Sequence, residues 1–495
     1  MALNVACSNM AVTPASTASS PPQEPERPRL VCWECHLVKK ACSKGVPACE
    51  LCVKRGVECS YMVNTARVGL SSLFQAVELA KDIHSLAFTT LLATHRTPQQ
   101  VEQTVASYFK SVNTWFAVIE QTDFAKQLAA MWENPTADTC VLVLCISVIA
   151  RAPAPPSPES SPKSKPKRSP KGLGDNAYHC AKATLALVQS KLSVTRMLLQ
   201  AELLIAMYEF SNGMLQQAYL SLGRCVQITK VLGWHNSQFW TLDRQAAEAR
   251  DLKLCSILWW AIVHLDGLLY VGGQDQSFSM LTVGLGLDPM IPHPENFDQY
   301  LFTFGAEHGG IQAMTPAEAS SAYFLSRVSQ HLSNPASSPP LAPDLSDCVS
   351  NLTKKLLLNR GRACDRNAAV GTNFITLLKL NQPSLLCPTI PPGASDAKGI
   401  SLIQSVIQSV GQKAALIAQN PDWLATGVLA PCWAVTMYHV GLLLVSHGVG
   451  QLRMPDWLQR VEQLMSALAL ISTRWKIAER YSPLLAEAIQ ARLGG

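Results

Sequence analysis

Six cysteines between positions 32 and 59 form a strict internal repeat. They read Cys32-x2-Cys35-x6-Cys42-x6-Cys49-x2-Cys52-x6-Cys59, so each cysteine of the first triplet recurs 17 positions later. Each Cys-x2-Cys step places two sulfurs on one turn, at a reach that suits a tetrahedral zinc ion. Six thiolates saturate two such ions only if two of the six bridge both metals. The repeat therefore predicts a binuclear zinc module.

Three other interpretations of the repeat fit less well. A disulfide framework requires an oxidising compartment, and nothing else in the sequence indicates one. A single four-cysteine site would leave two thiols over and would not account for the repeat. A chance cluster of buried thiols is at odds with the basic residues that are interspersed among the cysteines: Lys39, Lys40, Lys44, Lys54 and Arg55.

The stretch resembles the fungal Zn2Cys6 binuclear-cluster transcription factors, whose two cysteine triplets are joined by a short loop that contains proline. All six cysteines match, and Pro47 stands in the loop. The resemblance implies two Zn2+ ions, bridged by Cys32 and Cys49, with the other four cysteines as terminal ligands. It also implies that Lys39, three residues before Cys42, contacts the guanines of a CGG triplet in the major groove, since guanine N7 and O6 both accept hydrogen bonds.

Around Lys39 the sequence is less basic than the family pattern. His36, Val38 and Ala41 stand at positions where family members are typically basic. Lys40, Lys44 and Lys54 are further candidates for DNA contact. We expect Lys44 and Lys54 to contact phosphates. We therefore expect weak binding by one copy and recognition of two triplets by a homodimer. The alternative is a co-regulator that partners recruit, with little direct DNA contact.

The net charge of +6 is unevenly distributed along the chain. Residues 27–67 carry eight Lys or Arg against three Asp or Glu, and residues 151–171 carry six against one. Two basic islands on an otherwise mildly acidic chain indicate a polyanionic partner, here double-stranded DNA. Only 15% of the residues are charged, below the usual quarter, so most of the chain is predicted to be globular.

The second basic island lies in a segment of Pro, Ser and Lys at residues 151–174. Such a composition cannot pack a core, so the segment is predicted to be a mobile loop. Its basic residues form a candidate nuclear-import signal: Lys163, Lys165, Lys167, Arg168 and Lys171. A solvated spacer is the alternative. With the zinc motif, the signal indicates a nuclear protein.

Composition and helical spacing predict a mostly α chain in four parts. The parts are a disordered N-terminus at 1–28, a zinc-cluster DNA-binding domain at 29–62, a linker at 63–96, and a large all-α regulatory domain at 97–490 interrupted by the 151–174 loop. The linker carries an apolar seam of under three heptads at Leu73, Val77, Ala80, His84, Ala87 and Leu91. A short coiled coil and a helix packed on its own body are both consistent with this poor seam.

The body also resembles the fungal-specific regulatory domain, over roughly residues 97–300. Three motifs occur in the family's order: Tyr108-Phe109 with Trp115-Phe116, then Leu232-Gly233-Trp234-His235, then Leu258-Trp259-Trp260-Ala261 with Asp266 beyond. The resemblance implies a helical domain that receives a small-molecule inducer or a co-regulator. It also implies regulation of RNA polymerase II promoters in one metabolic or secondary-metabolite gene cluster.

Enzymes and membrane proteins are disfavoured. The chain has no HExxH, GxSxG or P-loop motif, and His179, His235 and His264 fall in patterns typical of core or surface histidines. No signal peptide is expected, because no charged segment followed by an apolar run stands at the N-terminus. The uncharged stretch Leu424–Leu452 is long enough to span a bilayer, but Pro431 and four glycines favour a buried helix or helix pair.

Overall fold

The computed structural model describes residues 40–43, 49–56, 82–95, 97–151, 173–240, 246–273, 278–283, 316–335, 341–342, 344–358, 367–385 and 394–494. The chain divides into two compact units, residues 1–81 and residues 82–495. Helices, turns and irregular segments make up the described ranges, and no strand occurs in them. The predicted mostly α class is confirmed.

One helix is described in the first unit, α1 (Glu50–Arg55). The N-terminal half of the second unit contains α2 (Ile83–Thr94), α3 (Pro98–Lys110), α4 (Gln121–Met131), α5 (Ala137–Ala150), α6 (Leu173–Lys191), α7 (Arg196–Ser211), α8 (Leu215–Val231) and α9 (Ala246–Gly272). The C-terminal half contains α10 (Pro316–Ser333), α11 (Leu345–Leu358), α12 (Asn367–Asn381), α13 (Ala394–Gln419), α14 (Asp422–Ala425), α15 (Cys432–His447), α16 (Trp457–Ser472) and α17 (Ile477–Gly494). Short 3-10 turns lie at Val112–Thr114, Ser237–Trp240 and Gln382–Leu385.

Side-chain caps set the start of several helices. Asp82 accepts hydrogen bonds from the backbone amides of the first turn of α2, and Thr97 does the same for α3, in which Pro98 is the first residue. Glu120 caps α4 and Thr195 caps α7 in the same way. Each cap satisfies amide groups that a helix leaves without intrahelical partners and stabilises the helix by about 1 kcal/mol.

The central helix of the N-terminal half is α5. Twelve of its fourteen residues are buried, as expected for a helix that is apolar on every side. The neighbouring helices α2, α3, α4, α6 and α7 surround it. The apolar run Cys140–Ala150 predicts a core helix. This helix is present, and it begins three residues before the run, at Ala137.

The helices α12 and α15 form the centre of the C-terminal half, and α9, from the N-terminal half, packs against α10 and α15. α12 packs against α10, α11 and α15, and α15 also packs against α16 and α17. The end of α9 is held from two sides: His439 Nε2 lies 3.1 Å from the carbonyl oxygen of Val271, and the Tyr481 hydroxyl donates to the carbonyl of Gly272. The C-terminal helices therefore complete the core of this half.

Trp115, of the Trp115-Phe116 motif, packs against chain segments that are more than 300 residues away in the sequence. Trp115 Nε1 donates to the carbonyl of Gly427 at 2.9 Å. The Trp115 ring meets the Trp475 ring edge to face, with 5.8 Å between centroids. Gly427 has a φ of +73°, in the region that favours glycine. The two ends of the second unit are therefore joined in one core.

Most of the described cysteines outside the repeat are buried, and so are two of the described histidines, His264 and His439. His264 Nε2 lies 2.9 Å from Thr372 Oγ1, and burial lowers the pKa of this histidine to about 4. Burial raises the pKa of Cys140 and of Cys432 to about 12 each. A thiol with so high a pKa is unreactive at neutral pH. These groups are core residues, as the sequence indicates.

Among the described residues, one helical segment has the length and hydropathy to cross a membrane, Asp251–Gly272 in α9. The protein itself buries 89% of that window, as is usual for the core helix of a large domain. The uncharged stretch at 424–452 begins within α14 and contains the 16-residue helix α15, most of which is buried.

The sequence pattern at Trp457–Tyr481 predicts helical structure, and this prediction is confirmed. The stretch Trp457–Tyr481 forms two helices, α16 and α17, because the chain turns at Thr473–Lys476. There the side chain of Arg474 reaches the carbonyl of Ile149 at 3.1 Å, and Trp475 Nε1 donates to the carbonyl of Leu429 at 2.7 Å. These distant hydrogen bonds fix the turn.

Three of the six positions of the predicted coiled-coil seam are described, and they pack against other helices of the second unit. Ala87 and Leu91 are buried in the core, where α2 packs against α5 and α6. His84 Nδ1 accepts a hydrogen bond from the amide of Ala137 at 3.0 Å, at the start of α5. The other three seam positions, Leu73, Val77 and Ala80, lie outside the described residues. Dimerisation through this segment stays a prediction.

Candidate metal centre and nucleic-acid interface

The helix α1 sets the positions of two cysteines of the repeat. Cys49 is the residue before the helix, in an extended conformation, and its carbonyl accepts from the amide of Val53 at 3.0 Å. Cys52 lies three residues further, in the helix, and both cysteines are buried. The start of α1 therefore places the two cysteines three positions apart, at its N-cap and in its first turn.

A glycine ends α1. Gly56 has a φ of +64°, and its amide donates to the carbonyl of Val53 at 3.2 Å. A Cβ at this position would meet no heavy atom within 4 Å, so the requirement is conformational and not steric. The sequence predicts a short helix at Glu50–Arg55 that ends at Gly56, and the structure confirms this prediction.

A hydrogen bond joins the two cysteine triplets. The hydroxyl of Ser43 accepts from the amide of Glu50 at 2.9 Å. Ser43 follows Cys42, the last cysteine of the first triplet, which is half-buried. The bond therefore holds Cys42 near the N-terminus of α1, beside Cys49.

These residues fit a zinc cluster in their chemistry. Cysteine thiolates are preferred zinc ligands. The start of α1 holds two buried cysteines, Cys49 and Cys52, close together in the sequence. Within the described ranges no group of three or more metal-ligating side chains is present, and three cysteines of the repeat lie outside those ranges: Cys32, Cys35 and Cys59. A module of this size has no hydrophobic core, so the metal would hold its fold.

Two of the candidate DNA-contacting lysines are described, and both are exposed. Lys40 lies in the segment before Cys42, and Lys54 lies in the last turn of α1. Two more, Lys39 and Lys44, lie outside the described residues, as do the residues of the candidate import signal: Lys163, Lys165, Lys167, Arg168 and Lys171.

Comparison with known families covers both units. The fungal Zn(2)-Cys(6) binuclear cluster domain matches residues 30–67. The fungal specific transcription factor domain matches residues 105–357, just over half of the chain. The chain belongs to the fungal Zn2Cys6 transcription factors. It is a DNA-binding transcription factor and not an enzyme, and its zinc-cluster domain binds two zinc ions.

Two curated relatives agree with this family. Transcription factor BOA15 of Botryotinia fuckeliana (strain B05.10) is 27% identical over 136 residues, which are 28% of this chain and 68% of that protein. The Ergochrome gene cluster transcriptional regulator of Claviceps purpurea (strain 20.1) is 46% identical over 59 residues, which are 12% of each chain. The match to the second thus spans a small part of that relative's length.

The body of this transcription factor contains a buried ionic cluster that the sequence did not reveal. Glu209 in α7 accepts hydrogen bonds from the Tyr178 hydroxyl at 2.5 Å and from the Lys182 ammonium, both on α6. The carboxylate of Glu209 is fully buried, and burial together with this carboxylate raises the pKa of Tyr178. The feature of the sequence that could have indicated this cluster is Glu209, a charged residue within a mostly apolar stretch of helix.

A second buried carboxylate lies two turns earlier on α7. Glu202 accepts from Gln189 Nε2 at 2.8 Å, and Arg224 Nη1 of α8 lies 3.6 Å away. Burial raises the pKa of this carboxyl, while the bond from Gln189 and the charge of Arg224 oppose the change. Ion pairs of this kind lock the registers of α6, α7 and α8, since breaking a buried pair is costly.

Proposed function

We propose that this transcription factor binds CGG-containing sites in RNA polymerase II promoters and regulates one metabolic or secondary-metabolite gene cluster from the nucleus. The six-cysteine repeat, with Cys49 and Cys52 buried at the start of α1, carries the DNA-binding part. The gene-cluster part is supported by a relative that is named as an ergochrome gene cluster regulator.

We assign the two zinc ions to all six cysteines of the repeat. Cys32 and Cys49, the first of each triplet, take the bridging positions, and the other four are terminal ligands. Six thiolates and two Zn2+ leave the cluster with two negative charges, which subtract from the net charge of +5 that eight Lys or Arg and three Glu give residues 27–67. The residual positive charge is small for a DNA-binding module, so a single copy binds weakly.

Base contact in the proposal rests on Lys39. Its ammonium donates to guanine N7 and O6, while Lys44 and Lys54 face the phosphates and Lys40 is a further DNA contact beside Lys39. Because one module reads about three base pairs, a useful address requires two triplets and hence a second copy of the chain. The segment at 151–174, with its five basic residues between 163 and 171, directs nuclear import in this proposal.

The helical body serves as the receiver of a regulatory signal, either a small-molecule inducer or a co-regulator. A helical domain with a large core has room for cavities between its helices. A second candidate function is recruitment by partners without direct DNA reading. It is favoured by His36, Val38 and Ala41, which reduce the positive charge where the family is typically basic.

A binding titration tests the base contact. The full-length, zinc-loaded protein is titrated onto a labelled duplex with two CGG triplets, and onto one with both triplets scrambled, at fixed salt. Lys39→Ala is expected to weaken binding to the CGG duplex by about tenfold or more. Lys355→Ala, which removes an exposed lysine of the body, is expected to have no effect. Equal affinities of Lys39→Ala and the parent for CGG would exclude Lys39 as the base contact.

Genome-wide occupancy separates direct reading from recruitment. Cys35→Ala removes a proposed zinc ligand and leaves the body intact. Loss of occupancy in this variant supports direct reading of DNA, and unchanged occupancy supports recruitment by partners. The promoters bound by the parent identify both the site and the pathway.

A further inference from the structure

We propose that a groove between α13 and α16 binds an extended, acidic peptide segment of a co-regulator. The inference rests on the regulatory function proposed above, in which the body receives a signal, and it specifies the kind of partner that delivers the signal. The groove has a volume of about 650 Å³. Its wall on α13 runs from Ser401 to Ala415, about 21 Å at 1.5 Å for each residue. An extended peptide of about six residues covers that length.

Two glutamines hold the walls of the groove together. One wall is a face of α13, and the other consists of the first part of α16 and of residues 452–454 before it. Gln404 Nε2 on α13 donates to the carbonyl of Leu452 at 2.9 Å. Gln463 Nε2 on α16 donates to the carbonyl of Gly411 at 3.3 Å. The groove is therefore formed before a partner binds, which lowers the entropy cost of binding.

The amide side chains along α13 suit a peptide backbone. Gln404, Gln408 and Gln412 recur every four residues, so their side chains lie above one another on the helix. Gln408 and Gln412 are exposed, and a glutamine amide both donates and accepts hydrogen bonds, as a peptide group does. Their spacing along the helix is about 6 Å, close to the ~6.6 Å that two residues of an extended peptide span. The two amides therefore match successive peptide groups on one edge of an extended chain.

Arg453 gives the groove its preference for an acidic partner. It is exposed and has a φ of +50°, the one positive φ among the described residues other than glycine. A side chain is strained in this conformation, and such strain is typical of functional sites. The amide of Arg453 donates to the carbonyl of Gly450 at 3.2 Å, and the amide of Met454 donates to that of Gly448 at 2.7 Å. This turn holds the guanidinium of Arg453 at the edge of the groove.

The lining as a whole is polar and favours an anionic peptide. Its described residues include two arginines and four glutamines, and no Asp, Glu or aromatic residue. Arg460 pairs with Asp456 at 2.9 Å, so Arg453 is the arginine of the lining that faces a partner's carboxylate, with which a guanidinium forms two parallel hydrogen bonds. Sites for small molecules are mostly apolar. This polar groove therefore fits a peptide, selected by charge complementarity.

The test uses the full-length, zinc-loaded protein and three labelled peptides of eight residues. The first alternates threonine and glutamate, the second has lysine in place of glutamate, and the third is the acidic peptide with its backbone amides methylated. Fluorescence anisotropy at fixed ionic strength measures binding. The acidic peptide is expected to bind at least about tenfold more tightly than the other two. Equal binding of the basic peptide would contradict the acidic class, and equal binding of the methylated peptide would contradict recognition of the backbone.

Matched arginine variants assign the binding to the groove. Arg453→Gln is expected to weaken binding of the acidic peptide by about tenfold or more. Arg492→Gln is the control, since Arg492 is an exposed arginine in the last turn of α17, and it is expected to have no effect. Should Arg453→Gln not fold, Arg453→Gly gives the same readout, because glycine adopts a positive φ without strain. Peptide binding that is absent from the parent, or equal in the parent and the folded Arg453 variant, overturns the proposal.

Glutamine variants test the contact with the peptide backbone. Replacement of both Gln408 and Gln412 by alanine is expected to weaken binding of the acidic peptide by about fivefold or more, because hydrogen bonds to the backbone are lost. Gln419→Ala, at the exposed end of the same helix and outside the groove, is the control. An unchanged affinity in the double variant would contradict the role of the two amides.

A parallel measurement of DNA affinity distinguishes failure of this proposal from failure of the proposed function. Arg453→Gln is expected to bind the CGG duplex as the parent does when no peptide is present. Arg453-dependent peptide binding in a protein that does not bind CGG duplexes would contradict only the DNA target. CGG binding by a protein that does not bind the acidic peptide would contradict only the groove proposal.

Discussion

Arg474 donates a hydrogen bond from Nη2 to the backbone carbonyl of Ile149 at 3.1 Å, across 325 positions of sequence. Nη1 of the same guanidinium donates to the carbonyl of Arg151. These carbonyls lie at the C-terminal end of α5, where a helix leaves its last acceptors without partners and carries partial negative charge. Arg474 is buried and lies 4.6 Å from the centre of the Trp475 ring. Burial lowers its pKa to about 10, so it stays charged at neutral pH.

We expect Arg474→Met to lower the free energy of unfolding of the body by about 3 kcal/mol. The substitution leaves the carbonyls of Ile149 and Arg151 without this donor in a buried region, and such losses are costly. Urea unfolding of the full-length protein measures the effect. The control is Lys126→Met, which removes an exposed cation paired with Asp123 and is expected to change stability by less than about 0.5 kcal/mol. Equal losses in the two variants would contradict the capping role.

We expect Lys379→Met to stabilise the body in a manner that depends on pH. The pKa of Lys379 is about 8 in the folded protein, against 10.5 for an ordinary lysine. Between these values the unfolded chain binds more protons at this position, so the free energy of unfolding rises with pH across that window. Below pH 8 the buried ammonium destabilises the folded state, and above pH 10.5 the penalty is absent.

The size of this effect follows from the same shift. Lys379→Met is expected to raise the free energy of unfolding by about 1 to 3 kcal/mol at pH 7, and the gain is expected to vanish as the pH approaches 10.5. His439 is neutral throughout, because burial lowers its pKa. Urea unfolding at pH 7, 8, 9 and 10 measures the difference between variant and parent. Lys355→Met should show no such trend, and a gain that does not vary with pH would contradict the assignment.

Two glycines in the C-terminal half test the packing of α15. A Cβ at Gly448, just after α15, would lie 2.5 Å from the carbonyl oxygen of Leu444 and 2.6 Å from Trp457 Cβ. Neither atom is the end of a flexible side chain, so the backbone would have to move. At Gly411, inside α13, the nearest atom is Gln463 Oε1 at 4.0 Å.

Substitution of these glycines by alanine should change stability in opposite directions. Gly448→Ala is expected to lose about 2 kcal/mol, because overpacking forces shifts of the chain. Gly411→Ala is expected to gain up to about 1 kcal/mol, because alanine favours the helix and meets no clash. Thermal unfolding of both variants beside the parent measures the difference, and a stabilised Gly448→Ala would show that α15 ends differently.

The sequence predicted a helix best where the residues of that helix alone carry the signal. The apolar run Cys140–Ala150 could only be a buried helix, and Gly56 and Gly233 mark helix ends because glycine tolerates positive φ. The pattern at Trp457–Tyr481 predicted helical structure but not the turn that divides it, because the apolar pattern continues through the turn. The turn is fixed by the bond from Arg474 to Ile149, and no local pattern contains that information.

The functional and buried polar residues also differ in whether local sequence or distant packing determines them. Cysteine spacing was sufficient to predict the zinc module, because metal geometry imposes spacing directly. Lys379 gave no such signal, since a lysine near a helix end is usually exposed. Its burial follows from the packing of α12 between α10, α11 and α15. The same holds for Glu209, whose partners on α6 are defined only in the folded protein.

Removal of zinc is expected to abolish DNA binding and leave the body folded. The two units are separate clusters of contacts, and the fold of the small one depends on metal. The full-length protein should contain two zinc ions, and a chelator should release them with little loss of the helical circular dichroism signal. Cys52→Ser removes a buried thiol of α1 and should reduce the zinc content below two.

The control for this variant is Cys348→Ser, which changes a half-buried cysteine outside the repeat and should retain both zinc ions and full DNA binding. Zinc content is measured by a colorimetric chelator on the denatured protein, and the thermal midpoint of the body is recorded on the same samples. A thermal midpoint that falls together with the zinc content would show that the metal also stabilises the second unit. Two zinc ions retained in Cys52→Ser would remove Cys52 from the ligand set.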